Sequence, residues 1–144
     1  MKRFVSVILS LVLAVSMSLP AFAANQSAVG NSSNQIHLDY VNISALNAGL
    51  SINSSGKANC TGSATLYNRS NTVVLSVQLQ RYANGGWSNV KGWSISARGN
   101  TPARIVNSYY VSSGKYRVSC TAKVYSASGA LLETQTAYSS TATY

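Results

Sequence analysis

The chain has 144 residues, with 11 Lys and Arg against two Asp and Glu, one His and two Cys, a formal charge of +9. So few titratable groups leave little from which to build an acid–base hydrolase or a metal centre, and the length suits one domain with its own core. The positive excess favours anionic partners such as acidic glycans, teichoic acids, nucleic acid or lipid headgroups.

Residues 1–23 read as a secretory signal peptide. Lys2 and Arg3 form a positive start, residues 4–19 are apolar apart from small serines, and Pro20 precedes the small-x-small pattern Ala21-Phe22-Ala23. The apolar stretch is too short to span a membrane comfortably, so cleavage after Ala23 and a secreted product without a transmembrane segment are expected. The mature chain then keeps nine cations (Lys57, Arg69, Arg81, Lys91, Arg98, Arg104, Lys115, Arg117 and Lys123) and two acids, Asp39 and Glu133, for a charge of +7. These cations are scattered, which argues against a polybasic nucleic-acid or lipid motif.

Residues 24–35 are almost wholly Asn, Gln, Ser, Gly and Ala. They bury too little apolar surface to offset their ordering entropy, so 24–38 are expected to form a flexible polar leader before a β-sandwich domain at 39–144. Beyond the leader, alternation of period two dominates and no helical stripe appears. The first strand, at 40–52, changes its apolar parity from Val41, Ile43 and Ala45 to Leu46, Ala48, Leu50 and Ile52, which calls for a bulge near residues 45–47. Residues 53–56 turn the chain. Residues 57–67 then alternate cleanly, with Ala58, Cys60, Gly62, Ala64 and Leu66 on one side.

The third strand points Val73, Leu75, Val77 and Leu79 inward, and Ser76, Gln78, Gln80 and Tyr82 outward. Asn84-Gly85 is a strong two-residue hairpin signal, because both turn positions need positive φ. Closing there pairs Tyr82 with Trp87, Leu79 with Val90 and Gln78 with Lys91. A bulge at Lys91-Gly92 would then turn Trp93, Ile95 and Ala97 into the core. Residues 103–111 form a fifth strand whose inward set is either Ile105, Tyr109 and Val111 or Val106 and Tyr110. The sixth, at 115–125, directs Tyr116, Val118, Cys120, Ala122 and Val124 inward, and residues 131–138 form the last. The expectation is all-β: a seven-stranded β-sandwich.

Cys60 and Cys120 fall mid-strand on inward faces of the second and sixth strands. In an exported protein an even cysteine count implies bridging, and closing so long a loop stabilises by about 4 kcal/mol on the chain-entropy model. A Cys60–Cys120 inter-sheet disulfide is therefore expected. With the Gly114-Lys115-Tyr116 approach to the sixth strand, this arrangement resembles the immunoglobulin domain in architecture. Two features depart from that pattern: Tyr116 precedes Cys120 by four residues rather than two, and the third strand carries no tryptophan. More narrowly, Leu79-Gln80-Arg81-Tyr82, Asn84-Gly85-Gly86-Trp87, Tyr116-Arg117-Val118 and Val124-Tyr125 resemble a family of small secreted proteins of Gram-positive bacteria. That resemblance implies a secreted β-sandwich and no particular activity.

Catalysis finds little support. His37 and Asp39 lie at the leader without further ligands, serines lack a base, and Asn53-Ser54-Ser55-Gly56-Lys57 lacks the glycine spacing and helix of a phosphate loop. No catalytic residue, metal site or cofactor is expected. Binding has more substance. Lys115, Arg117 and Lys123 share outward parity with Tyr125 on the sixth strand, beside Gln78, Gln80 and Tyr82 on the third, and the hairpin adds Trp87 and Lys91. A basic, amide-rich face edged by aromatics suits sugars and anionic substituents. A simpler role for the same side chains is to cover the outer sheet and blunt its edges. The expected function is a secreted, non-catalytic binding module for anionic polysaccharide or teichoic-acid-like polymers of the bacterial envelope or of mucus, with no specific nucleic acid. The alternatives are a cationic antimicrobial or toxin-like protein and a self-associating structural protein.

Overall fold

The structure, a computed structural model, describes residues 40–144. The stretches expected to be a signal peptide and a polar leader, with the His37–Asp39 pair, lie outside the described residues. The strands are β1 (Ile43–Ile52), β2 (Lys57–Leu66), β3 (Thr72–Ala83), β4 (Gly86–Arg98), β5 (Ala103–Tyr110), β6 (Lys115–Tyr125), β7 (Leu131–Tyr138) and a two-residue β8 (Ala142–Thr143). They form two antiparallel sheets, β1-β2-β5 and β4-β3-β6-β7, with β8 extending along β6. The sheets pack face to face as a β-sandwich.

Each sheet turns alternate residues inward, which is why the period-two pattern is legible as a core. Ala58, Cys60, Ala64 and Leu66 of β2 meet Val73, Leu75, Val77 and Leu79 of β3 and Tyr116, Val118, Cys120, Ala122 and Val124 of β6, all buried. On β5 the inward set is Ala103 and Ile105, while Val106 and Tyr110 are exposed. Asn84 and Gly85 have φ of 52° and 78°, the left-handed pair that a tight hairpin requires. That turn leaves no chain for a crossover, so β4 stays beside β3. An immunoglobulin constant domain instead carries its fourth strand in the sheet of the first, second and fifth.

Both expected bulges are present, displaced along the chain. In β1 the register shifts between Ile43 and Ala45, so Ser44 is the extra residue, and Ile43 and Leu46 both reach the core. Val41 is left outside, 81% exposed. In the β3–β4 pair Tyr82 faces Trp87 as expected, but the shift falls between Leu79 and Gln80 and leaves Val90 unpaired. Trp93 and Ala97 then turn inward against the core as anticipated. Ile95, opposite Leu75 on the same side, remains 37% exposed on this edge strand.

Tyr116 closes a tyrosine corner despite its displaced position. Its ring is buried, and its hydroxyl donates to the Ser112 carbonyl at 2.8 Å. At the other end of the chain, Tyr144 N donates to Gly114 O at 3.0 Å and Gly114 N to Tyr144 O at 2.9 Å, fastening β8 to the start of β6. Between β7 and β8, the Ser139 hydroxyl accepts from Val118 N at 2.8 Å, taking the place of a ladder carbonyl where the strand breaks.

Cys60 and Cys120 are both buried, free thiols here, with no disulfide between them. The sulfurs have different neighbours along β2. Cys60 Sγ lies 4.0 Å from the Ala58 carbonyl, whereas Cys120 Sγ lies against Gly62, on the other side of Cys60. Both lie in the shared interior. Burial pushes each thiol from 9.0 up to about 11, opposed at Cys120 by a hydrogen bond from the Ser63 backbone.

Gly62 sets the spacing here. A Cβ on it would overlap Val77 Cγ2 and come within 2.7 Å of Cys120 Sγ. Gly62→Ala is therefore expected to cost about 1–3 kcal/mol, the usual penalty for overpacking a dense core, measured as a lowered urea midpoint at unchanged slope. The thiols add a pH dependence. Their folded-state pKa is raised, so the stability they contribute is complete below about pH 9 and is lost as pH rises toward 11. Reduced protein is expected to lose stability across that window more steeply than a Cys60→Ala/Cys120→Ala variant, compared by urea unfolding at pH 8 and pH 10.5.

Candidate anion-binding face

The outer surface of the β4-β3-β6-β7 sheet is assembled by register. Its rows run Trp87–Tyr82–Lys115, Asn89–Gln80–Arg117, Gly92–Gln78–Ser119–Tyr138, Ser94–Ser76–Thr121–Thr136, Ser96–Val74–Lys123–Thr134 and Arg98–Thr72–Tyr125. The face therefore carries Arg98, Lys115, Arg117 and Lys123. It carries no carboxylate among the described residues, because their only acid, Glu133, pairs opposite core Val124 and accepts from Asn42 N at 2.7 Å.

Arg117 is the centre of this surface. Its guanidinium carbon lies 4.3 Å from the Trp87 ring centroid and 4.2 Å from that of Tyr138, so one aromatic from β4 and one from β7 flank the same cation. Its Nε donates to Gln80 Oε1 at 2.8 Å, and Gln80 Nε2 donates to Asn89 Oδ1 at 2.9 Å. Tyr82 packs against Trp87, with ring centroids 5.2 Å apart and planes inclined at 59°. Stacking and the Nε bond orient the guanidinium plane, while Nη1 and Nη2 make no hydrogen bond within the described residues. Such a fork matches a carboxylate, sulfate or phosphate through two parallel N–H···O bonds.

Of the residues singled out from the sequence, Gln80, Tyr82, Trp87 and Arg117 form one contact cluster. Lys115 is exposed beside it, opposite Tyr82, and Gln78 is in the next row. Lys123 and Tyr125 share the face but lie at its other end, with Lys123 about 20 Å from Arg117 along β6. Lys91 does not belong. The β4 bulge places it opposite Leu79, a core position, so it takes inner-face parity at an exposed edge instead of facing Gln78. Asn89 and Tyr138 were missed. Asn89 was accessible, since pairing Tyr82 with Trp87 already implies Gln80 opposite Asn89. Tyr138 was not, because the β6–β7 register passes through an irregularity at Val124 and Tyr125.

No group of three or more His, Cys, Asp or Glu that could hold a metal occurs among the described residues. No protein-family model matches the chain, and no curated protein matches it in sequence.

Arg117→Ala should remove both ring contacts and the Gln80 bond, at a cost of roughly 1–2 kcal/mol in unfolding free energy. Trp87, uncovered on one face, should shift its fluorescence emission to the red. An unchanged spectrum in a Trp93→Phe background would show that the stack does not persist in solution.

Proposed function

We propose that this protein is a secreted, non-catalytic module that binds anionic glycopolymers through the Arg117 face. The observation that carries the reading is the aromatic-flanked guanidinium, held at Nε and, among the described residues, without a partner at either Nη, on a surface where those residues place four cations and no acid. Orienting the fork in advance lowers the ordering cost of binding. Amide and hydroxyl groups in adjacent rows suit sugar hydroxyls. Export rests on the apolar start and the Ala21-Phe22-Ala23 pattern, and the resemblance to small secreted Gram-positive proteins with an immunoglobulin-like architecture agrees with it.

The Cys60–Cys120 bridge belongs to the same proposal for the exported form. A thiol–disulfide oxidant outside the cell would accept the two electrons, and two protons would leave. Intact mass of secreted protein, lighter by two hydrogens if bridged, checks it.

Binding is tested on immobilised polygalacturonate at low and physiological salt. Retention should fall with salt. Arg117→Gln should weaken it about tenfold, as expected for loss of a charge-assisted hydrogen-bonded pair. Arg117→Lys should weaken it nearly as much, because an ammonium keeps the charge but neither forks nor stacks in the same way. No retention by the native protein, or full retention by Arg117→Lys, would overturn the proposal.

A further inference from the structure

We infer that this face is a track for an extended anionic polysaccharide running along β6, gripped at two separated points; the inference rests on the binding reading above. The first grip is Arg117 with neighbouring Lys115. The second is Lys123, which shares the outward face six residues further along, about 20 Å away at the rise of a β-strand. Arg98, at the corresponding end of β4, adds a further cation there.

Between the grips lie two rows, Gly92–Gln78–Ser119–Tyr138 and Ser94–Ser76–Thr121–Thr136, so the floor is uncharged and carries an amide, a phenol and small hydroxyls. Ser76 and Ser94 hydroxyls are 3.1 Å apart, and Thr121 and Thr136 hydroxyls 2.8 Å apart. Ser94 Oγ also donates to the Leu75 carbonyl at 3.0 Å. A hydroxyl has one hydrogen, so Ser76 must donate to Ser94, leaving lone pairs of Ser76 as acceptors. Such a floor has no charge of its own between the cationic ends and is able to accept from sugar hydroxyls.

The same geometry disfavours single-stranded nucleic acid. Binding without sequence preference relies on aromatic faces on which bases stack. Here Trp87 and Tyr138 each give a face to the Arg117 guanidinium. What the site offers beside the exposed parts of Tyr82 and Tyr138 is an oriented fork, amides and hydroxyls.

The test is titration with oligogalacturonates of graded length, with poly(dT) of matched charge for comparison. Affinity should rise with length until the oligomer spans about 20 Å, and then level off. Lys123→Gln should weaken the long oligomers roughly two- to fivefold, within the range of an exposed ion pair, and leave the shortest unchanged. Arg117→Gln should weaken every length. If Lys123→Gln has no effect at any length, or poly(dT) binds as tightly as the longest oligouronate, the track is overturned while single-point binding at Arg117 stands. If no oligouronate binds, both readings fall. Lys123 is fully outside the core, so unchanged melting of Lys123→Gln is expected and separates lost binding from lost fold.

Discussion

The two sheets press together where Gly62 of β2 lies against Val77 of β3 and Cys120 of β6, and the remaining architecture depends on that contact. A side chain there would occupy space already filled by Val77 Cγ2 and the Cys120 sulfur. Because a core at crystal-like density cannot absorb the volume cheaply, glycine fixes the separation at the centre. Around it, Ala58, Cys60, Ala64 and Ala122 keep the interior thin, and Leu75, Leu79, Ile43 and Tyr116 fill it towards the periphery. Inter-sheet distance, and with it the side of β3 and β6 left for solvent, follows from this arrangement of small and large residues.

The outer face inherits its order from the inner one. Successive residues of a strand point to opposite sides, so burying Leu79 and Val118 obliges Gln80 and Arg117 to face out, and their pairing sets them side by side. The hairpin brings Trp87 to one side of Arg117, and β7 brings Tyr138 to the other. A long cation that would be mobile on an open sheet is thereby confined to one plane. Confinement fixes the direction of the fork, and neither Nη has a hydrogen-bond partner among the described residues.

Legibility in the sequence followed the range over which each feature is decided. The inward sets of β2, β3 and β6 were readable, since each is an uninterrupted alternation within about ten residues. The Asn84-Gly85 turn was readable because its backbone demands are local. Bulges were anticipated from changes of apolar parity, yet Ser44 and Val90 were not identified as the extra residues: any neighbour restores the same parity, and cross-strand packing selects among them. The two-position error on β4 transferred Lys91 to the wrong face while leaving Trp93 correctly inward. The corner at Tyr116 shows the same selection, since spacing from Cys120 mattered less than reaching the Ser112 carbonyl.

Composition and alternation by themselves determined an all-β chain, its core strands, its basic character and the group of outward residues from which a binding face could be drawn. Tertiary structure alone decided that Arg117, Gln80, Trp87 and Tyr138 meet while Lys123 stands apart, and that Asn89 completes the cluster. The physical reason is that strand parity is a local property of sterics and solvent, whereas register and rotamer direction come from non-local packing. There a single extra residue, or one rotation about χ1, changes every partner.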